Sequence, residues 1–429
     1  MINGGAPLSG EITAAGNKNA ALPILAACLL TEEELVLSNV PHIRDTETQV
    51  AVLEQLGVKA EWSDENELRL QADAVTSTTP DEALSERIRA SFLTAGPLLA
   101  RFGEATMPPP GGDFIGRRRL DPHLDAFTDL GAEVDAERAI GIRAPAGGLR
   151  PCKIFMDEPS VMGTENALMA AALTPGPTTI ANAASEPHVQ DLARVLVKMG
   201  AQIDGIGSNV MTVHGRDKLG GAEHRICPDH IEVASFIALA AATKGELRIR
   251  DAEPDDLVTI LRHFRRLGLQ TMIEGNDVLV PPRQALEVTD DIGDAIPKID
   301  DGPWPAFPAD LTSIAVALAT QARGTILIFE KMFENRLFFV DKLVAMGARI
   351  TLCDPHRAIV SGPSRLHGAR LESPDIRAGM AMLIAALAAD GTSEIGNVMQ
   401  IDRGYEKIDL RLRELGARID RVASERVPA

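Results

Sequence analysis

Aromatic side chains are nearly missing from this chain. Phenylalanine, tryptophan and tyrosine together make up 3% of 429 residues, and there is one tyrosine. Cores built around large rings are thereby excluded, so the 45% of apolar residues must pack as aliphatic surfaces. Alanine and leucine dominate the longer apolar runs, which favours many closely spaced elements of small residues. Basic charge is also short: 43 lysines and arginines face 61 aspartates and glutamates, for a formal net charge of −18. That balance argues against a general nucleic-acid or anionic-membrane surface, although a local group of arginines can still reverse the field inside one cleft. The four cysteines, Cys28, Cys152, Cys227 and Cys353, show no CxxC pair and no Cys/His spacing of a metal site. They read as scattered reduced thiols, and no metal is expected.

Long hydrophobic runs are absent too. None reaches about 18 uninterrupted apolar residues, so no membrane span is expected. Leu25-Ala26-Ala27-Cys28 looks like a lipoprotein processing site, but the stretch before Lys18 is polar and glycine-bearing and lacks the positive region of an export signal. A cytoplasmic chain is the expectation. Walker A loops, dinucleotide fingerprints and GxSxG elbows are missing as well.

What is present is repetition. An apolar residue, a glycine and a strand-like step recur at Leu56-Gly57-Val58, Leu130-Gly131-Ala132, Met199-Gly200-Ala201, Leu267-Gly268-Leu269, Met346-Gly347-Ala348 and Leu415-Gly416-Ala417, with the glycines 68 to 79 residues apart. Each follows an amphipathic segment, which reads as helix, glycine C-cap, strand. In step with it runs a second phrase: small apolar runs at 19–30, 89–100, 165–173, 231–242, 310–319 and 376–388. Apolar on nearly all sides, these predict helices buried inside a domain. Each carries a polar or charged residue at or near its start: Lys18 and Asn19, Arg89, Glu165, Glu232, Asp310 and Arg377. A period near 70 residues is too long for a simple solenoid and suits a small α/β unit. Six such units predict two domains of three units, residues 18–227 and residues 1–17 plus 228–429, with hinges near Asn17-Lys18 and Cys227-Pro228-Asp229. Buried helices running in parallel would aim several positive ends at one face, an anion site, and function is expected between the domains.

Polar clusters stand out against this background. Pro108-Pro109-Pro110-Gly111-Gly112-Asp113 followed by Arg117-Arg118-Arg119 marks a long loop with an acid among arginines. It is either a solvated turn or a lid that carries a proton donor over an anion. Phe333-Glu334-Asn335-Arg336, Asp375-Ile376-Arg377 and Ile401-Asp402-Arg403-Gly404 each set an acid beside an arginine, either as surface ion pairs or as forks for carboxylate and phosphate. Phe307-Pro308-Ala309-Asp310 fixes an approach to a helix start, where Asp310 is an N-cap or a catalytic carboxylate. Lys18 is a hinge residue or a phosphate ligand.

Taken in order, Gly16-Asn17-Lys18-Asn19, Arg89-Ala90-Ser91, Pro110-Gly111-Gly112-Asp113, Pro159-Ser160-Val161, Phe307-Pro308-Ala309-Asp310, Phe333-Glu334-Asn335-Arg336, Asp375-Ile376-Arg377-Ala378 and Ile401-Asp402-Arg403-Gly404-Tyr405-Glu406 resemble the enolpyruvyl transferase family over essentially the whole chain. The resemblance implies two inside-out α/β barrels of three repeats each. It implies transfer of the enolpyruvyl group of phosphoenolpyruvate to the 3-hydroxyl of UDP-N-acetylglucosamine, with no metal or organic cofactor and no nucleic-acid, membrane or obligate protein partner. Lys18, Arg118 and Arg403 would hold the phosphate, with Arg89 nearby. Arg336, Arg377 and Arg403 would hold the carboxylate region, with Asp375 at the same helix start. Asp310 would take the hydroxyl proton and, with Asn19, contact the amino sugar. Arg118, Arg119, Leu120, Asp121 and Pro122, with His123 close by, would line the uridine. Ser160 and Val161 would meet the diphosphate, and Met332 would lie beside the nucleotide sugar. Asp113 would be the proton donor on the loop, at a position where many members carry cysteine. Arg119, Glu158, Met162 and Ala309 also depart from the family's usual residues.

Two alternatives follow from the same features. One is transfer to another acceptor, a nucleotide or shikimate 3-phosphate. The other is a sixfold-repeated acidic DNA clamp, but a clamp needs basic residues along its repeated helices, and here these are apolar along their length.

Overall fold

A computed structural model describes residues 1–113, 115–136 and 139–422. Phe114, in the loop singled out above, lies outside the described residues. The chain is α/β and divides into two units, one of residues 15–112 and 118–227, the other of residues 1–14, 113–117 and 228–429.

Each unit is built inside out, with helices at the centre and sheets around them. In the first unit the central helices are α1 (Lys18–Ala27), α2 (Ala95–Phe102) and α3 (Val161–Ala172). In the second they are α4 (His230–Ala242), α5 (Thr312–Ala319) and α6 (Ile376–Ala388), and all three touch one another. Every residue of α4 is buried. Such close approach of whole helices requires small side chains, which accounts for the alanine-rich composition and the few aromatics. The six apolar runs are therefore helical as expected, but two begin differently. Arg89–Thr94 and Ala309–Leu311 form 3-10 turns ahead of α2 and α5. Before the second of these, Pro308 is extended and cannot donate to a helical ladder.

The glycine phrases close the amphipathic helices as read. Gly57, Gly131, Gly200, Gly268, Gly347 and Gly416 all have positive φ, between 80° and 114°, the left-handed turn that releases a helix into a strand.

Among the described residues, six small sheets stand around the helices, three per unit. The sheet of Lys153–Phe155 shows the pattern: this strand pairs parallel with Gly176–Ala181, which pairs antiparallel with Val210–Gly215, which pairs antiparallel with Gln202–Asp204. Among the described residues, three repeats take a strand from far away in sequence. Ala222–Arg225 pairs parallel with Leu35–Ser38 and completes the first sheet of the first unit. In the second unit, Ser9–Thr13 pairs parallel with Glu246–Arg250, and Ile2–Asn3 sits between Thr392–Gly396 and Arg418–Ile419. In each unit a side-chain contact pins the closure. Arg411 donates to both oxygens of Glu232 (2.6 and 3.2 Å) and to the Thr13 carbonyl (2.8 Å). Asp191 meets the His224 ring (3.0 Å) and accepts from the Cys227 N–H (3.0 Å).

One repeat is irregular. Among the described residues its sheet has three strands, Glu104–Met107, Ile140–Arg143 and Glu133–Asp135. Between Glu104–Met107 and the helix Asp121–Asp129 runs the loop 108–120, where the corresponding connections 39–43 and 182–186 are short. The loop is an insertion at a fixed joint of the repeat.

Candidate active site

In the first unit the candidate residues gather at helix starts. Asn17 caps α1, its side chain accepting from the N–H groups of Asn19 (2.9 Å) and Ala20 (3.1 Å). This cap places Lys18 at the positive end of a helix, a costly position for a cation. The Asp45 carboxylate offsets it, 2.7 Å from the Lys18 Nζ with both side chains nearly buried. Asn19 is half-buried one residue further on. Ser160 caps α3 in the same way, accepting from Gly163 N–H at 3.1 Å. The first N–H groups of that helix, beginning at Val161, have no partner within the helix, a chemistry that suits an anion.

Arg89 does something the sequence did not suggest. It donates to the carbonyls of Arg118 (2.7 Å) and Arg119 (3.2 Å), so it shapes the end of the 108–120 loop. Burial, and the neighbouring Arg118, pull its guanidinium down to about 10, which leaves it charged at neutral pH. Arg119 turns to carboxylates: Asp157 at 2.7 Å, Asp121 at 3.3 Å and Glu158 at 3.8 Å. Leu120 is half-buried, Asp121 is exposed and Pro122 is buried. His123 is enclosed at 1% exposure, against Asn166 (2.8 Å) and the edge of Phe92. Burial, then the charge on Arg89, pushes its imidazole down to about 3.

In the second unit one carboxylate gathers two arginines. Asp310 accepts from Arg336 at 2.7 Å and from Arg377 at 3.0 and 3.1 Å. Arg336 and Arg377 are 3% and 4% exposed, so these pairs lie in a low-dielectric setting. Arg377 opens α6, capped by Asp375, whose carboxylate accepts from the N–H groups of Arg377 (2.8 Å) and Ala378 (2.9 Å). Arg377 also donates to the Tyr405 hydroxyl (3.3 Å), which meets Ser235 at 3.1 Å. Tyr405 was not foreseen as a functional residue. Its signal was that it is the one tyrosine in the chain. His230 lies nearby on α4, edge-on to Trp304, and is pushed down to about 4 by burial and by Arg377.

The segment 113–117 belongs to this same unit. Asp113 is ion-paired with Arg403, which also donates to Gln400 at 2.9 Å. Asn335 N–H donates to the Ile115 carbonyl (3.1 Å), and Arg117 N–H to the Glu334 carboxylate (3.2 Å). The turn that docks here therefore carries Asp113 directly against an arginine. Met332 is 39% exposed at the start of the docking segment. The arrangement supplies an acid on a docked turn, a carboxylate between two guanidiniums and a third guanidinium, which suits a substrate carrying more than one anionic group.

The family model for EPSP synthase (3-phosphoshikimate 1-carboxyvinyltransferase) matches residues 2–412. The chain is 58% identical to a UDP-N-acetylglucosamine 1-carboxyvinyltransferase of Bradyrhizobium diazoefficiens, over 98% of this chain and 97% of the relative. It is 55% identical to one from Treponema denticola, over 98% of both. Among solved structures it is similar to the enolpyruvyl transferase NikO from Streptomyces tendae, with TM-score 0.86, 25% identity and 97% of both chains covered. The fold alone is shared with an EPSP synthase from Acinetobacter baumannii, TM-score 0.73 at 16% identity over 97% of both chains.

Proposed function

Because the chain belongs to the EPSP synthase family of enolpyruvyl transferases, we propose that it moves the enolpyruvyl group of phosphoenolpyruvate to the 3-hydroxyl of UDP-N-acetylglucosamine and releases phosphate. The acceptor follows from relatives of that activity that match nearly end to end. The observation that carries the chemistry is the acid–arginine set: Asp113 on Arg403, and Asp310 held by Arg336 and Arg377.

The reaction needs a proton delivered to the methylene carbon while a hydroxyl oxygen bonds to the adjacent carbon. Asp113 serves as the donor and Asp310 as the group that takes the hydroxyl proton. The tetrahedral adduct keeps both phosphate and carboxylate, so its charge needs several fixed cations throughout. In the second half a methyl proton leaves to a base, the C–O bond to phosphate breaks, and the double bond re-forms. In the resting protein Asp113 is tied to Arg403. A substrate phosphate that engages Arg403 displaces Asp113 from its cation and frees it to carry the proton. Lys18 and Arg118, with Arg89 nearby, complete the phosphate set, and Arg336, Arg377 and Arg403 serve the carboxylate. Asn19, Asp375, Met332 and the 118–123 segment serve the nucleotide sugar, with Ser160 and Val161 at its diphosphate. Such an activity belongs in cytoplasmic peptidoglycan synthesis, on which cell shape and division depend.

Phosphate release from phosphoenolpyruvate tests the reading. Turnover is expected with UDP-N-acetylglucosamine and not with shikimate 3-phosphate or a free nucleotide. No turnover with the nucleotide sugar overturns the choice of acceptor. Asp113→Asn is expected to abolish turnover. Fosfomycin alkylates a thiolate, and the loop has none at this position, so the protein is expected to resist it. Covalent inactivation of the unmodified protein would refute the role given to Asp113.

A further inference from the structure

Two carboxyl groups outside the acid–arginine set are buried against each other. Asp301 follows the strand Lys298–Asp300, and Glu330 follows the parallel strand Gly324–Phe329. They are 1% and 0% exposed. Each spends one oxygen on backbone N–H groups. Glu330 Oε1 accepts from Met332 (3.2 Å) and Phe333 (3.0 Å), and Asp301 Oδ1 accepts from Lys331. Their other oxygens, Glu330 Oε2 and Asp301 Oδ2, are buried and make no hydrogen bond among the described residues. Asp301 N–H donates to the Phe329 carbonyl (3.3 Å), so the two side chains leave adjacent parallel strands side by side, and the charge of Asp301 acts on Glu330.

The surrounding charges do not neutralise the pair. Lys298 and Lys331 both direct Nζ outward to Asp300, at 3.1 and 2.9 Å. The His356 ring meets the Glu330 backbone carbonyl, not its carboxyl group. Arg336 faces Glu330 and opposes its protonation, but its Nη2 is committed to Asp310. Asp375 faces Arg336, as does Arg377, which is itself paired with Asp310. Two ionised carboxylates facing one another without a donor would be strongly unfavourable, and a single proton satisfies both orphan oxygens.

We infer that Glu330 and Asp301 share one proton and act as a positioning pair for the turn that carries Arg336. While the proton is held, the pair fixes the N–H groups of Lys331, Met332 and Phe333 and keeps Arg336 against Asp310. When it leaves, the facing carboxylates repel, the turn shifts, and Arg336 loses its place. Burial, followed by the charge of Asp301, raises Glu330 to about 8, so the change falls just above neutrality. The functional half of the inference rests on the proposed role of Asp310. The shared proton does not.

The two halves are tested separately. Infrared difference spectra of the whole protein, taken as pH rises through about 8, should show a buried carboxylic acid band disappear, and Glu330→Gln should lack it. Absence of that band in the parent overturns the shared proton, whatever the enzyme's activity. The kcat/KM for phosphoenolpyruvate should fall about tenfold per pH unit above the same value. Glu330→Gln, and independently Asp301→Asn, place an amide donor in the pair and should turn over with that alkaline limb removed. An unchanged limb in either folded variant overturns the positioning role.

Discussion

At the scale of single residues, the proposed functional set lies in polar clusters visible in the sequence, but its pairings were not visible there. Three clusters place an acid within two positions of an arginine in sequence: Glu334 and Arg336, Asp375 and Arg377, Asp402 and Arg403. None of these local pairs is the pair that forms. Arg336 and Arg377 both reach Asp310, Arg403 reaches Asp113, Asp402 binds Arg421, and Asp375 caps a helix. Side chains that close in sequence point along different directions of the backbone, so partners come from positions further away in the chain. Asp45, the partner of Lys18, was invisible for the same reason. Asp310→Asn is expected to lower kcat by about 10²- to 10⁴-fold, the range for losing a general base, with phosphate release as the readout. His230 offers a pH test. Its imidazole is held neutral, down to about 4 from an ordinary 6.5. The stability it contributes is full above pH 6.5 and is lost as pH falls through 4. His230→Phe should therefore lose less stability than the parent across that window in denaturant melts.

At the scale of elements, the six central helices and the six glycine turns were legible because each rests on local chemistry. Apolar residues on all faces require burial, and a left-handed turn requires glycine. The 3-10 starts before α2 and α5 were not legible, since they depend on how Arg89 and Asp310 are held by partners distant in sequence. The sheets were harder still, because strands such as Lys153–Phe155 are too short to show a period. Close helix contact makes a specific demand on the small residues. Ala238 on α4 is fully buried, and Ala238→Leu is expected to cost about 1–3 kcal/mol through overpacking. Equilibrium urea unfolding measures it.

At the scale of the whole molecule, the division into two units of three repeats follows from counting the glycine phrases, while the closure of each unit by a distant strand does not. A strand of two residues, Ile2–Asn3, gives no sequence signal, yet it bridges Thr392–Gly396 and Arg418–Ile419. Removing residues 1–14 takes one strand from each of two sheets of the second unit and the Thr13 carbonyl from Arg411. Limited proteolysis of that truncation is expected to digest the part after residue 228 first and to spare residues 15–112 and 118–227 longer. Equal resistance of both parts would count against this closure. The same arrangement sets an order of events on the ribosome. Ile2–Asn3, the earliest of the described strands, belongs to a sheet whose other strands come last among them, with Ile2 waiting for Ile419, whereas Ser9–Thr13 waits for Glu246–Arg250. The unit in the middle of the chain can close as soon as Ala222–Arg225 emerges, while Ser9–Thr13 stays unpaired until Glu246–Arg250 is made and Ile2–Asn3 until Thr392–Gly396 and Arg418–Ile419 are made. During that interval these strands expose their edges to other nascent chains, so slow translation past residue 228 should raise misassembly more than slow translation before it.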